Sequence, residues 1–119
     1  MKPLALVVDD EPIIRMDTAD VVADAGYEVI EAESASDAMA YIAEHPAVCL
    51  VITDIQMPDI DGLTFARHVA AHWPEIAVVV ASGAVTPGRG ELPADAKFVA
   101  KPFSPRHMVE AIRHVRSFH

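Results

Sequence analysis

Short apolar segments that alternate with helical patterns constrain the fold of this chain more than any other feature. Apolar runs cover residues 4–8, 48–53 and 76–81, and shorter candidates lie at 27–32 and 97–100. Runs of this length, rich in valine and isoleucine, are typical of strands buried on both faces of a parallel sheet. The segment at 27–32 alternates apolar and polar residues more strongly, which favours a strand at the edge of the sheet.

Helical patterns occupy the intervals between these runs. Apolar residues spaced three and four positions apart predict helices at residues 12–25, 35–44, 62–73 and 105–118. Strand and helix therefore alternate, and this order predicts an α/β fold with right-handed βαβ units around a parallel sheet. A chain of 119 residues has the size of one ordinary domain. Because we find no repeat, linker or low-complexity segment, we expect residues 1–119 to form a single domain.

Residues 83–96 interrupt the alternation at the place where a fourth helix would be expected. The stretch GAVTPGRGELPADA contains three glycines and two prolines, and these residue types are the weakest helix formers. We therefore predict a loop, with a fourth helix that is short or absent.

Charge and hydropathy argue against two classes of partner. The formal net charge of −9 disfavours direct binding to nucleic acid, since a duplex binder needs a basic face. No apolar run approaches the ~20 residues that span a membrane, and the N-terminus lacks a signal-peptide pattern.

The single cysteine, Cys49, cannot form an intramolecular disulfide, and its apolar neighbours predict a buried position. We expect a cytoplasmic protein that does not contact membranes.

Polar residues follow the predicted strands at the points where the strands end. Asp9 and Asp10 follow the first strand, Asp54 the third, Ser82 ends the fourth, and Lys101 follows the fifth. In open parallel sheets, ligands bind beyond the carboxyl ends of the strands. We therefore expect these five side chains to meet at one edge of the sheet.

Each of these residues alone also has a purely structural explanation. The pair Asp9–Asp10 can cap the first helix, and Asp54 begins a turn-rich segment. Ser82 can simply start a loop, and Lys101 can be a solvated charge. Asp61 can cap the helix that follows it.

The combination points to more specific chemistry. Carboxylates that lie close together repel one another unless a cation joins them, and Mg²⁺ is typically held by one or two carboxylates and several waters. A carboxylate such as Asp54 can also attack phosphorus and form an aspartyl phosphate. Positive charge on the equatorial phosphoryl oxygens assists this reaction. Mg²⁺ and Lys101 would supply that charge, and Ser82 could donate a hydrogen bond.

Four motifs carry a family resemblance that covers nearly the whole chain. LVVDDEP, VITDIQMPDIDG, VVVASG and FVAKPF, in this order and spacing, resemble the receiver domain of bacterial two-component response regulators, the CheY-like family. The resemblance implies a flavodoxin-like fold with five strands in the order 2-1-3-4-5. The weak helical pattern at residues 83–96 is more similar to stand-alone receivers and to receivers attached to hybrid kinases.

The resemblance also implies roles for individual residues. Asp54 would accept a phosphoryl group from a phosphohistidine on a histidine kinase or a histidine phosphotransfer protein. Ser82 and Lys101 would contact the phosphoryl group. Mg²⁺ would be bound through a set of protein groups, namely the carboxylates of Asp10 and Asp54, Asp9 mainly through a water, and the backbone carbonyl of Gln56.

The same resemblance implies a switch and a downstream protein target of unknown identity. Ser82 would move toward the phosphate, and Phe98 on the fifth strand would change its packing. The Lys101–Pro102 peptide bond would be cis. We expect residues 83–96 to become ordered on phosphorylation.

Other functions remain possible on the residues alone. Asp54 could serve as the nucleophile of a metal-dependent phosphatase or phosphotransferase, although Gln56 stands where one such family has a second aspartate. A phosphate-independent interaction module also fits the fold. An FMN carrier fits it too, although the acidic turn after the first strand would repel the FMN phosphate. His68 and His72 have the spacing of a helical metal pair, but no third ligand is evident, which favours surface residues. We expect a phosphoacceptor switch that assists its own phosphorylation and dephosphorylation, not a conventional enzyme.

Overall fold

The computed structural model describes residues 2–88 and 90–117 and contains five strands and four helices within them. The predicted elements are present, with bounds that differ by one or two residues; residue 118, which ends the last predicted helix, lies outside the described part. In chain order the elements are β1 (Leu4–Val8), α1 (Pro12–Asp24), β2 (Glu28–Ala32), α2 (Ala35–Glu44), β3 (Val48–Thr53), α3 (Gly62–His72), β4 (Ala77–Ser82), β5 (Lys97–Ala100) and α4 (Pro105–Arg116).

All strand pairs are parallel, and the strand order is β2-β1-β3-β4-β5. This is the predicted flavodoxin-like order, and β2 is an edge strand as its alternating pattern predicts. In the pairing register, Val8 lies opposite both Ala32 and Thr53. The ends of β1 and β3 are therefore level, and the residues that follow them emerge side by side.

The core has two layers, one on each face of the sheet. One apolar cluster joins the sheet to residues of α3 such as Phe65 and Val69, and the other joins it to residues of α4 such as Met108 and Val115. All six residues of β4 are buried. Burial on both faces explains why the central strands are continuous apolar runs, whereas α4 shows its apolar residues only at helical spacing.

The segment between β4 and β5 forms no helix in its described residues, 83–88 and 90–96, as predicted. Val85, Leu92 and Ala96 pack against the apolar cluster that contains α3. The guanidinium of Arg67 on α3 donates a hydrogen bond to the carbonyl of Glu91, at 2.9 Å. The segment therefore covers the core with a few apolar side chains, where an amphipathic helix was not formed. The hydrogen bond from Arg67 attaches it to α3.

Cys49 departs from its predicted position, because it is only half-buried. It lies on β3 where the register between β1 and β3 shifts, and its thiol donates a hydrogen bond to the carbonyl of Leu4 at 3.4 Å. Cys49 is the extra residue at this irregularity, and its partial exposure is local, since Val48 and Leu50 on either side are buried. Within the described residues, none of the helices combines the length and the apolar character needed to cross a lipid bilayer.

Candidate metal and phosphoacceptor site

The ends of β1 and β3 bring two aspartates together. The backbone amide of Asp54 donates to the carbonyl of Val8 at 3.0 Å, and the amide of Asp9 donates to the carbonyl of Ala32 at 3.1 Å. These bonds continue the sheet by one residue beyond each strand. The backbone of both aspartates is thus fixed before their side chains enter the site.

Asp9, Asp10 and Asp54 form an acidic cluster at this edge. Each offers one carboxylate oxygen, and these oxygens lie within 4.8 Å of one another. Asp9 is only 3% exposed, whereas Asp10 faces solvent. Mg²⁺ takes oxygen ligands, and the three carboxylate oxygens are close enough together to bind one ion. The solvent-exposed side at Asp10 leaves room for the water molecules that Mg²⁺ retains. The residues present therefore fit a magnesium ion.

Lys101 joins the cluster from the end of β5. Its ammonium group lies 2.7 Å from Oδ2 of Asp9 and 3.8 Å from Oδ2 of Asp54, and its side chain is 14% exposed. Its backbone amide donates to the carbonyl of Ser82 at 3.0 Å, and the Lys101–Pro102 peptide bond is cis. One cation thus compensates part of the charge of the buried carboxylates, and it is nearer to Asp9 than to Asp54.

The carboxylate of Asp54 is held partly out of water. Its side chain is 15% exposed, and Oδ1 accepts a hydrogen bond from the amide of Ile55 at 2.7 Å. Burial raises the pKa of Asp54 above its ordinary value, and the neighbouring charge of Asp9 raises it further. Lys101 and the Ile55 amide act in the opposite direction on the pKa. The result is an anionic oxygen that has lost much of its hydration and sits beside a lysine.

A cavity of about 780 Å³ opens next to Asp54. Ser82, Gln56 and Lys101 line it together with Asp54, and its outer walls come from α1 and from the start of α4. Ser82 is 3% exposed, and its hydroxyl accepts a hydrogen bond from the amide of Val85 at 3.4 Å. The structure therefore brings four of the sequence-predicted residues to one open space.

Phe98 lies outside this cavity wall. It is half-buried on β5, packs against the apolar cluster that contains α3, and pairs in register with Val80. Ser82 is two residues further along β4 and pairs with Ala100. Ser82 and Phe98, the two residues predicted to form a switch, therefore lie on adjacent paired strands. A change at Ser82 could reach Phe98 through the pairing of β4 with β5, without direct contact between the two side chains.

Sequence patterns did not reveal two residues that support the site, Thr53 and Gly62. The hydroxyl of Thr53, which is fully buried, donates to the carbonyl of Asp54 at 2.9 Å. A Cβ added to Gly62 would lie 1.7 Å from the same carbonyl oxygen. The aspartate-glycine pair at 61–62 was a possible signal for such a close approach, but Thr53 looked like an ordinary strand residue.

Two aspartates of the loop after Asp54 stabilise helix ends. Asp61 accepts hydrogen bonds from the amides of Leu63 and Thr64, as predicted for the cap of α3. Asp59 instead reaches α2, where it accepts from the amide and the hydroxyl of Ser36 at 2.9 and 2.6 Å. These hydrogen bonds lower the pKa of Asp59 well below its ordinary value. The loop that carries Gln56 is thereby tied to two helices.

Among the described residues, His68 and His72 are not joined by a third potential metal ligand. Their rings stack with centroids 3.9 Å apart, and Nδ1 of His72 lies 3.0 Å from the carbonyl of His68. Within the described residues, the acidic cluster is the only group of three or more potential ligands. The prediction that these histidines are surface residues holds for His72, while His68 is half-buried.

The fold and the arrangement of this edge define a receiver domain of two-component signalling systems. A family model described as "Response regulator receiver domain" matches residues 5–113. The chain therefore belongs to the response regulator receiver domain family.

Curated relatives differ in length around the same domain. The response regulator receiver protein CpdR of Brucella abortus is 32% identical over 94% of this chain and 94% of its own length. The sensor kinase CckA of the same organism is 35% identical over 91% of this chain, which spans only 12% of that kinase. The chain also spans half or less of several transcriptional regulators that it matches.

Solved structures give the same result for the fold. A response regulator receiver protein from Sinorhizobium medicae superimposes with a TM-score of 0.89 at 25% identity, over 98% of this chain and 95% of that one. A CheY-like receiver domain protein from Methanospirillum hungatei superimposes with a TM-score of 0.85 at 24% identity.

Proposed function

We propose that this receiver domain is a phosphoacceptor switch in which Asp54 receives a phosphoryl group from a phosphohistidine. The donor would be a histidine kinase or a histidine phosphotransfer protein. The observation that carries the proposal is the convergence of Asp54 with Asp9, Asp10 and Lys101 beside an open cavity. Anionic and cationic groups held together at a solvent-accessible edge suit the transfer of a charged group.

In the proposed reaction, a carboxylate oxygen of Asp54 forms a bond to phosphorus while the bond between phosphorus and the histidine nitrogen breaks. The electron pair of that bond stays on the imidazole. Lys101 already lies 3.8 Å from Asp54, so its ammonium group can neutralise charge on the transferred oxygens. The hydroxyl of Ser82 accepts from the amide of Val85 and can still donate its own hydrogen to another of these oxygens. A magnesium ion held by Asp9, Asp10, Asp54 and the carbonyl of Gln56 would neutralise further phosphoryl charge.

The proposed output is a change in protein contacts. Movement of Ser82 toward the phosphate would change the contact between its hydroxyl and the amide of Val85, and the segment between β4 and β5 would become ordered while Phe98 repacks against the core. We propose a cytoplasmic protein whose partners are a phosphodonor protein and an unidentified protein target, without direct contact with nucleic acid or membranes. The domain can act alone or as part of a longer chain.

Intact mass spectrometry provides the direct test. The protein is incubated with Mg²⁺ and acetyl phosphate, alongside Asp54→Ala and Asp17→Asn. Asp17 lines the same cavity from α1 but lies outside the acidic cluster. We expect addition of one phosphoryl group to the wild-type protein and to Asp17→Asn, and none to Asp54→Ala.

Beryllofluoride covers the case of a receiver that accepts only from its protein donor. Binding of beryllofluoride and Mg²⁺ by the wild-type protein, with no binding by Asp54→Ala, would still support the proposal. Absence of both phosphorylation and beryllofluoride binding would contradict it and would favour a phosphate-independent interaction module. Release of inorganic phosphate from a separate phosphoester substrate would instead identify a phosphatase.

A further inference from the structure

Arg15 makes two hydrogen bonds that connect α1 to the ends of β1 and β2. Its Nη1 donates to the carbonyl of Asp9 at 3.0 Å, and its Nε donates to Oε1 of Glu31 at 3.0 Å. The side chain of Arg15 is 12% exposed, and that of Glu31 is 38% exposed. The guanidinium is therefore largely buried. It donates one hydrogen bond to a carboxylate and one to a backbone carbonyl.

The carbonyl that Arg15 holds belongs to the peptide unit between Asp9 and Asp10. The other side of Asp9 is fixed by its amide, which donates to Ala32, and by its Oδ1, which accepts from the amide of Glu11 at 3.0 Å. Lys101 holds Oδ2 of Asp9 as well, and Arg15 adds the hydrogen bond at the carbonyl of Asp9, where the turn continues to Asp10. Rotation of the peptide unit would move the carboxylates of Asp9 and Asp10 relative to each other.

We propose that Arg15 is a positioning residue that orients the Asp9–Asp10 peptide unit so that both carboxylates can bind one divalent cation. The inference rests on the magnesium site of the proposed function. Arg15 does not itself contact the cation. It acts in the way that outer-sphere partners orient metal ligands, whose loss typically weakens metal binding about 10- to 100-fold.

The direction in which Mg²⁺ affinity changes when Arg15 is replaced distinguishes a positioning role from an effect of its charge alone. The guanidinium is a positive charge near a cation site, so its removal would reduce repulsion and tighten Mg²⁺ binding if charge alone mattered. If Arg15 positions the ligands, its removal loosens the turn and weakens Mg²⁺ binding. A purely structural role would lower the stability of the protein and leave its Mg²⁺ affinity unchanged.

The test is a Mg²⁺ titration of the wild-type protein and of Arg15→Met. Binding is monitored by ¹⁵N NMR and by calorimetry. We expect the dissociation constant of Arg15→Met to rise on the order of tenfold. The amide of Asp10 shares the peptide unit that Arg15 holds, so its ¹⁵N shift should change in the variant before any metal is added. Arg67→Met is the matched control, because Arg67 also donates to a backbone carbonyl but does so at Glu91, away from the acidic cluster.

Arg15→Lys keeps the charge but cannot reproduce the two-pronged contact, and it serves as the second variant if Arg15→Met does not fold. It should also bind Mg²⁺ more weakly than the wild-type protein. Unchanged or tighter Mg²⁺ binding in a folded Arg15 variant would overturn the inference while leaving the proposed function intact. Failure of the wild-type protein to bind Mg²⁺ would instead remove the metal site and the inference together.

Discussion

Asp54 is held by its neighbours through its amide, its carbonyl and its side chain. The amide donates to Val8, the carbonyl accepts from the hydroxyl of Thr53, and Oδ1 accepts from the amide of Ile55. Gly62 packs directly against the same carbonyl. A reactive carboxylate benefits from such support, because small displacements of a reacting group reduce rates strongly.

Replacement of Gly62 by alanine should disrupt this support. The new Cβ would lie 1.7 Å from the carbonyl oxygen of Asp54, so the backbone of the β3–α3 loop must shift. We expect a loss of about 3 kcal/mol in the free energy of unfolding, at the upper end for an overpacked core, together with slower phosphorylation. Urea unfolding followed by circular dichroism measures the first effect.

Gly83→Ala is the matched control for this prediction. A Cβ at Gly83 would meet Lys101 at 3.4 Å, which is an ordinary contact. We expect this variant to unfold at nearly the wild-type urea concentration. Equal stability of the two alanine variants would contradict the assigned role of Gly62.

Asp59 should make the stability of the protein depend on pH in the acid range. Its hydrogen bonds from Ser36 lower its pKa in the folded protein, while the unfolded chain has a carboxyl pKa of ~3.9. The carboxylate therefore contributes stability above about pH 4, and this contribution is lost as the pH falls through the lowered folded-state pKa. The exposure of Asp59 keeps the size of the effect modest.

We expect Asp59→Asn to be less stable than the wild-type protein at pH 7 and to approach it as the pH is lowered below about 4. Urea unfolding at a series of pH values gives the difference in free energy directly. A difference that stays constant down to the lowest pH would show that the charge of Asp59 has no part in it.

At the scale of the elements, the segment between β4 and β5 stands out because a loop takes the place of a helix in its described residues. Its described residues form no helix, and its contacts with the rest of the protein include Val85 with Ser82 and Arg67 with Glu91. Segments with few backbone hydrogen bonds open most easily. The end of this segment at Ser82 adjoins the proposed phosphoryl site, which makes it suitable for carrying a signal.

Arg67→Met should increase amide hydrogen exchange in residues 83–88 and 90–96, because it removes the hydrogen bond to Glu91. We expect beryllofluoride and Mg²⁺ to slow exchange in the same residues of the wild-type protein, as ordering on phosphorylation would require. Arg106→Met is the control, since Arg106 lies 3.7 Å from Glu110 on the exposed face of α4. Exchange that does not respond to beryllofluoride would contradict ordering of the segment.

At the scale of the whole molecule, the net charge of −9 is concentrated in part at one edge of the sheet. Like charges in the acidic cluster repel one another and destabilise the metal-free protein, and a bound cation removes this penalty. Binding of a cation at the proposed site would therefore be linked to the stability of the fold. The stabilisation by Mg²⁺ would be about 2.7 kcal/mol when its free concentration is 100 times the dissociation constant.

Asp10→Asn should weaken both the charge repulsion in the acidic cluster and the stabilisation of the protein by Mg²⁺. Without metal, we expect the variant to be more stable than the wild-type protein by up to about 1 kcal/mol, because one exposed repelling charge is gone. With Mg²⁺, the wild-type protein should gain stability and the variant should gain little. Thermal unfolding with and without Mg²⁺ tests both statements, and Asp17→Asn should respond to Mg²⁺ as the wild-type protein does.

Local sequence information sufficed for the elements and for the edge where the site lies. Apolar periodicity gave five strands and four helices within one or two residues, and the two prolines and three glycines after Ser82 correctly predicted the missing helix. The strand-end rule predicted that Asp9, Asp54 and Lys101 would meet, because parallel strands end on the same side of a sheet. Each of these inferences depends on the order of residues along the chain.

Tertiary structure alone decided which side chains bind one another across elements. Asp59 reaches the start of α2, 23 residues earlier in the chain, and Lys101 lies nearer to Asp9 than to Asp54. Arg15 holds the carbonyl of Asp9 although nothing in the helical pattern of α1 marks it. Such contacts depend on how loops and helices pack over the sheet, and a one-dimensional pattern contains no information on those distances. The sequence by itself therefore determined the fold and the members of the acidic edge, and packing determined how that edge is held.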